Sequence, residues 1–365
     1  MPRRSKLGYS DVRVTVRTPL GEGISASPLW MVLDEPDLHH LVAQLRTALV
    51  HPHGRATRVL DLSRRRIEAA RSGFGRMILH GERDLHMLAG LLAGRLIPTH
   101  RLRSIVIGEV GRTGDRFTLE KDLDEEELYR STDLDLGNRL LSRLRFSDGD
   151  VWHKAELVSN VVAYEALDAN PNGVTRILTR IKAEEEIWNK VADELFELDH
   201  LVERDKALRH LSRYVKDVFG LKIVVSVPDD VRRAHDALQG LAFEPHELEA
   251  RAVQGAEHRR LNFLEVKDYL DDPKNSGWAA MKSVVRWRDR TFEIQVQPLQ
   301  NFLRERERLT RESHASFKAT REQVRDEVAA RVPLFGYCRA LLQWIFVSPQ
   351  GPPPEHPGVE VRIHD

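Results

Sequence analysis

An α+β chain built on a mixed, largely antiparallel sheet flanked by helices is predicted by three features of the sequence. Thr291 to Gln297 alternates, with Phe292, Ile294 and Val296 on one side and Glu293, Gln295 and Gln297 on the other, the period of a strand with one buried face. Leu221 to Val227 is a short apolar run bounded by Gly220 and Pro228, which fits a buried strand. Helical spacing over Glu184 to Leu198 and Asp229 to Leu241 completes an order of helix, strand, helix, strand, strand, helix, which packs as a mixed sheet with helices against it.

Earlier in the chain, Asp11 to Pro19 alternates Val12, Val14 and Val16 with polar residues and is expected to be a strand. Asp37 to Val50 and Ser63 to Leu79 carry helical spacing, Ile105-Val106-Ile107 suits a strand, and Asp122 to Arg145 reads as a charged helical stretch after a Gly-rich turn at Gly108 to Gly114. Residues 1–150 are therefore expected to form a separate N-terminal α+β accessory domain. Val151 to Leu167 is expected to be the first helix of a second domain, 151–330, ending at the turn-rich break Asp168 to Gly173. Arg304 to Val332 is dense in charge and suits a helix that packs one narrow side. Residues 331–365 are read as a C-terminal tail in which Gly351-Pro352-Pro353-Pro354 excludes helix and Val359 to Ile363 alternates like a last strand.

Composition narrows the function classes. A chain of 365 residues is long enough for about two domains. Lys plus Arg equals Asp plus Glu, 56 against 56, so no net field marks a general nucleic-acid or membrane surface. The single cysteine, Cys338, excludes an intrachain disulfide and is read as a packed apolar residue. No apolar run reaches the ~18 residues of a membrane span, and the N-terminus lacks the apolar core of a signal peptide, so a cytoplasmic location is expected. His39, His40, His51, His53, His80, His86 and His100 are read as scattered surface and packing histidines, lacking i,i+4 spacing with a partnered acid.

Candidate chemistry gathers in the second half. Arg180 and Lys182 precede or open a helix, where free N–H groups and the dipole favour an anion, and Lys190 follows about two turns on. Asp217, before the buried strand and near Gly220, suits one ligand of Mg²⁺, with Glu293 as the second. Lys267 and Lys274 flank a polar turn, Pro273 to Gly277, that delivers Trp278 after a glycine, an arrangement suited to a flat base carrying phosphate.

Taken in order, these segments resemble the RelA/SpoT-type alarmone synthetases, in a small, single-function or toxin-like form. The resemblance covers roughly residues 175–325: Arg180-x-Lys182 with Lys190, then Asp217 to Lys222, then Lys267-Asp268-Tyr269 with Pro273-Lys274-Asn275 and Gly277-Trp278, then Glu293-Ile294-Gln295, then Glu312 to Lys318. It implies a nucleotidyltransferase-like fold and an ATP-dependent transfer of pyrophosphate to the 3′-hydroxyl of GDP or GTP. It further implies ATP held by Arg180, Lys182 and Lys190, Mg²⁺ held by the catalytic pair Asp217 and Glu293, and the acceptor held by Lys267, Lys274, Asn275, Trp278, Lys282 and Gln295. Glu186 stands where the family has serine, Lys222 replaces an arginine, Trp278 a tyrosine, Lys282 a histidine, and Gln297-Pro298 an Arg-Thr pair. The companion hydrolase looks absent, since the only His-Asp pairs are His235-Asp236 and His364-Asp365. Two alternatives remain open: a toxin that pyrophosphorylates the 3′ end of tRNA, which Lys282 with Arg286, Arg288 and Arg290 would meet, and a degenerate nucleotide-binding module. A homo-oligomer or a neutralising protein partner is compatible with either.

Overall fold

The computed structural model describes residues 35–49, 58–110, 114–148, 151–196, 218–271, 278–288, 290–311 and 325–365. The strand expected at Asp11 to Pro19 lies outside them. The chain is α+β, and its centre is one eight-stranded sheet flanked by helices. Across that sheet the strands run β3 (Arg116–Leu123), β2 (His100–Val110), β6 (Ala155–Ala166), β7 (Val174–Ile181), β8 (Phe219–Val225), β11 (Arg290–Pro298), β10 (Met281–Trp287) and β9 (Asn262–Asp268). Every pairing is antiparallel except β8 with β11.

The sheet's apolar side carries Leu102, Val162, Tyr164, Ile177, Phe219, Leu221, Ile223, Phe292, Ile294 and Val296, all in the main core. Two helices, α1 (Pro36–Leu49) and α2 (Arg64–Leu96), belong to the same core. The helix expected to end at Leu79 continues to Leu96, because Leu85, Leu88, Ala89, Leu92, Ala93 and Leu96 extend the i, i+3, i+4 spacing of buried positions. Gly81 leaves no room for a methyl group beside the Phe219 ring, so α2 lies close against β8. Two short helices, α3 (Glu125–Arg130) and α4 (Asp133–Leu141), replace the single charged stretch expected over 122–145.

The helix expected over Val151 to Leu167 is not present. Those residues form β5 (Val151–His153), which pairs with β4 (Phe146–Asp148), and β6, which pairs with β2 along its whole length. Val161, Val162 and Tyr164 favour a strand, and burial on both faces near the end of β6 hides the alternation that would have shown it. The break expected at Asp168 to Gly173 is a tight β6–β7 connection in which Gly173 takes φ +63 beside Asp230.

After β7, α5 (Glu184–Leu195) adds Ile187, Trp188 and Val191 to the core. α6 (Asp230–Gly240) and α7 (Pro245–Glu249) follow β8, and α8 (Leu299–Arg311) follows β11. Residues 331–365 carry α9 (Pro333–Phe346), whose Phe346 stacks on Trp188 with ring centroids 3.6 Å apart. They also carry β12 (Val359–His364), paired in parallel with β1 (Arg58–Ser63). Cys338 is buried in α9 and burial pushes its thiol up to about 12, as a packing role requires.

The sheet crosses the boundary expected at residue 150, since β2 and β3 precede it and β6 follows it. Cutting there would leave β6 an unpaired edge and strip α2 from the core. A 151–330 fragment is therefore expected to show no cooperative thermal transition by circular dichroism, whereas the full chain shows one. A sharp melt of the fragment alone would restore an independent second domain.

Candidate functional site

The second side of the sheet is polar, as the alternation in β11 predicts, and the register lines its side chains up in rows. Arg180, Gly220, Glu293, Val284 and Glu265 are successive partners across β7, β8, β11, β10 and β9. One step along, Leu178, Lys222, Gln295, Lys282 and Lys267 form the next row. Six residues expected in the site from scattered sequence positions, or flagged there as a departure, thus share one face: Arg180, Lys222, Lys267, Lys282, Glu293 and Gln295. At the midpoint, Gly220 would bring a Cβ to within 3.7 Å of only backbone atoms, so among the described residues no side chain closes over the strand there.

Glu293 is 3% exposed and forms an ion pair with Lys282, while Gln295 Nε2 donates to its Oε1 at 2.5 Å. Lys267 pairs with Glu265 at 2.5 Å. Glu305, on α8, was not anticipated. Its carboxylate accepts from Trp278 Nε1 at 2.8 Å, Gln297 Nε2 at 3.1 Å and Lys222 Nζ at 2.5 Å. Trp278 also donates to Gln297 Oε1 at 3.1 Å, and its ring lies 5.6 Å from that of Tyr269. α8 is held over the face by Phe302, which packs with Ile105, Ala163, Leu178 and Val224, so Glu305 one turn on reaches Lys222. The i,i+3 spacing of Phe302 and Glu305 was visible, but nothing in it says which sheet face the helix would cover.

The expected donor-phosphate residues divide. Arg180 is exposed on the polar face, and Lys182, just past β7, is buried with its backbone N–H on Val218 O at 2.9 Å. Lys190 is buried on α5, in a charged group with Asp193, Glu186, Arg325 and Arg339. Arg325 lies 3.5 Å from Glu186 and 3.8 Å from Asp193, and Arg339 donates to Asn189 at 3.0 Å. Burial pushes Asp193 up to about 6 although Arg325, Arg339 and Lys190 pull it down. Glu186, the departure from serine, therefore has a cationic partner.

Asp217, Lys274 and Asn275 lie outside the described residues, as does Glu312 to Lys318. Of the expected Mg²⁺ pair, Glu293 offers buried oxygen donors in a polar row, which suits a hard cation. Its ammonium partner, Lys282, competes for the same oxygens. The basic set that would meet tRNA is partly engaged elsewhere: Arg288 and Arg290 both pair with Asp84 on α2, Arg290 at 2.7 Å.

At the far end of the polar face, Arg101, Glu165 and Arg176 are partners in register and line a cavity of about 430 Å³ with Asp168, Asn170 and Ser226. On the opposite side of the sheet, one expectation needs correction. Glu82 and His86 are spaced i,i+4 on α2, and Asp133 at the start of α4 meets them, so His86 is not an isolated packing histidine. The spacing was legible; the third residue, 47 positions later, was not.

The structure is similar to small alarmone synthetase 1 from Bacillus subtilis bound to its product pppGpp, at 17% identity over 45% of this chain and 77% of that one, with a TM-score of 0.27. A second structure of small alarmone synthetase 1 from Bacillus subtilis matches at 16% identity over 47% of this chain and 76% of that one, with a TM-score of 0.26. A GTP pyrophosphokinase family protein from Streptococcus pneumoniae matches at 18% identity over 46% of this chain and 70% of that one, with a TM-score of 0.27. No family model and no curated protein matches the chain. Among the described residues no helix is long and apolar enough to cross a membrane.

Glu305 supplies a pH test of this geometry. Burial alone would raise its pKa, but the charge of Lys222 and the hydrogen bonds from Lys222, Gln297 and Trp278 hold it below the usual carboxylate value of 4.5. A depressed folded-state pKa adds stability above the unfolded value that is lost as the pH falls through the folded one. Glu305→Gln is therefore expected to be less stable than the wild type by about 1–2 kcal/mol at neutral pH. In urea titrations between pH 7 and pH 3 that gap should close only in the acid range, below about 4.5. A gap that persists unchanged at the acid end would show that the carboxylate charge is not what Glu305 contributes.

Proposed function

We propose that the chain is an ATP-dependent pyrophosphokinase of the RelA/SpoT type, with GDP or GTP as acceptor, and that the polar face of β7, β8, β11, β10 and β9 is its site. The supporting observation is the register: Arg180, Lys222, Glu293, Gln295, Lys282 and Lys267, far apart in sequence, fall in two adjacent rows on one side of one sheet. A face of this kind positions charge rather than supplying covalent chemistry, which is what phosphoryl-group transfer asks of a protein.

In this reading Arg180, Lys182 and Lys190 serve the ATP phosphates, with Arg180 exposed at the mouth of the face. Trp278 offers its ring to the acceptor base, held by Glu305 and Gln297, while Lys267, Lys274, Asn275, Lys282 and Gln295 serve phosphates and ribose. The acceptor 3′-hydroxyl oxygen bonds to the β-phosphorus of ATP as the bond from that phosphorus to the AMP oxygen breaks. Glu293 is the buried carboxylate placed to take the hydroxyl proton once Lys282 turns to phosphate. Asp217 and Glu293 would hold Mg²⁺, which would neutralise phosphate charge at this site.

A second reading is favoured by one observation. With Lys282 on Glu293 and Glu305 on Lys222, the face satisfies its own charges, as a module that binds nucleotide without transferring would do. β-Phosphate-labelled ATP, offered separately with GDP, GTP and bulk tRNA, divides the readings. The proposed function predicts AMP release and label on GDP or GTP, with Glu293→Gln lowering the rate by about 10²-fold or more. Label on tRNA alone would reassign the acceptor. Nucleotide binding with no AMP in any arm would leave the non-transferring module.

A further inference from the structure

We propose that Glu82, His86 and Asp133 form a divalent transition-metal site that fastens α4 to α2, on the side of the sheet away from Glu293. His86 Nε2 lies 3.0 Å from Asp133 Oδ1 and 3.9 Å from Glu82 Oε1, and the three ligand atoms all lie within 4.8 Å of one another. The residues are 6%, 2% and 7% exposed, in chain order, so none is a surface group that happens to drift near the others.

Charge favours a cation here. Among the described residues neither carboxylate has an ion-pair partner other than His86. Two buried carboxylates facing one imidazole carry more negative charge than a protonated ring neutralises, which either a proton shared between them or a bound cation relieves. His86 uses one nitrogen only: Nδ1, on the far side of the ring, is buried without a hydrogen-bond partner among the described residues, so the ring's polar contacts are the two carboxylates at Nε2.

Helix capping does not account for the whole group. The α4 N-cap is Thr132, whose hydroxyl accepts from Asp135 N, so the Asp133 side chain is not needed as a cap. Glu82 Oε1 does accept from Asp133 N at 2.5 Å, which satisfies one helix-terminal donor but leaves the carboxylate pair facing each other. Behind the site the frame is rigid: Asn160 Nδ2 donates to Asp133 O at 2.7 Å and Ser104 Oγ to Asn160 Oδ1 at 2.7 Å. That bracing ties the start of α4 to β2 and β6, as second partners do around metal ligands.

The donor set names the class of ion. One imidazole nitrogen with two carboxylate oxygens suits Zn²⁺ first and Mn²⁺ second, and suits Mg²⁺ poorly. Three protein ligands leave a coordination position free for water.

The full chain, stripped with chelator and dialysed separately against Zn²⁺, Mn²⁺ and Mg²⁺, is measured for retained metal by elemental analysis and for melting temperature. The wild type is expected to retain one Zn²⁺ per chain and to melt several degrees higher with it, with a smaller rise in Mn²⁺ and none in Mg²⁺. Glu82→Gln and Asp133→Asn, close in shape to the native residues, are expected to lose at least nine-tenths of the retained Zn²⁺. If either variant fails to fold, X-ray absorption of Zn²⁺-loaded wild type decides, and a mixed nitrogen and oxygen first shell with a single imidazole supports the site. No retained Zn²⁺ or Mn²⁺ in the wild type overturns the proposal. So does equal retention in both folded variants, or a shell of several imidazoles, because either places the ion on other histidines.

Discussion

The two-sidedness of the sheet is the constraint on which the rest of the molecule depends. Phe219, Leu221, Ile223, Phe292, Ile294 and Val296 must be covered, and α2 and its neighbours cover them. Strand alternation then sends every second residue to the other side, so Gly220, Lys222, Glu293 and Gln295 are delivered to one surface with no further instruction. A slip of one residue in β11 would bury Glu293 in the apolar core, which is why the site and the core are specified together.

The polar side is bounded rather than empty. α8 crosses it on a small apolar contact around Phe302 and brings Glu305 onto Lys222, Gln297 and Trp278. Three donors on one carboxylate hold the indole and the lysine in fixed places, and an arriving phosphate would compete with that carboxylate for the lysine. The same economy of charge appears on α5, where Glu186, Lys190 and Asp193 meet Arg325 and Arg339. A net charge of zero thus hides several local charged groups, each closed by contacts distant in sequence.

Much of this was legible in the sequence, and the reasons for the rest are specific. The faces of β11 followed from its period of two, and β8 was expected from its apolar run, although it spans Phe219–Val225 with Gly220 paired inside it rather than Leu221 to Val227. The sequence of β6 suits a helix as well as a strand because its last residues are buried on both faces, which removes the alternation by which a strand is recognised. The boundary placed at residue 150 shares that cause, since without β6 there is no strand to carry the sheet across to β2. Spacing places Lys190 two turns after Arg180, and it does not show that α5 also sets it among Asp193, Glu186, Arg325 and Arg339. Glu305 and Asp133 contribute through contacts that no local pattern encodes.

The central claim is that the polar face of β8, β11 and β10 is where nucleotide binds. Hydrogen exchange of the full chain, with and without a non-hydrolysable ATP analogue together with GDP, tests it most directly. Protection is expected at residues 178–182, 219–225, 281–287 and 290–298 and in the first turns of α8, with exchange in α2 and α4 unchanged. Protection confined to the cavity lined by Arg101 and Arg176, or to α2 and α4, would contradict the account.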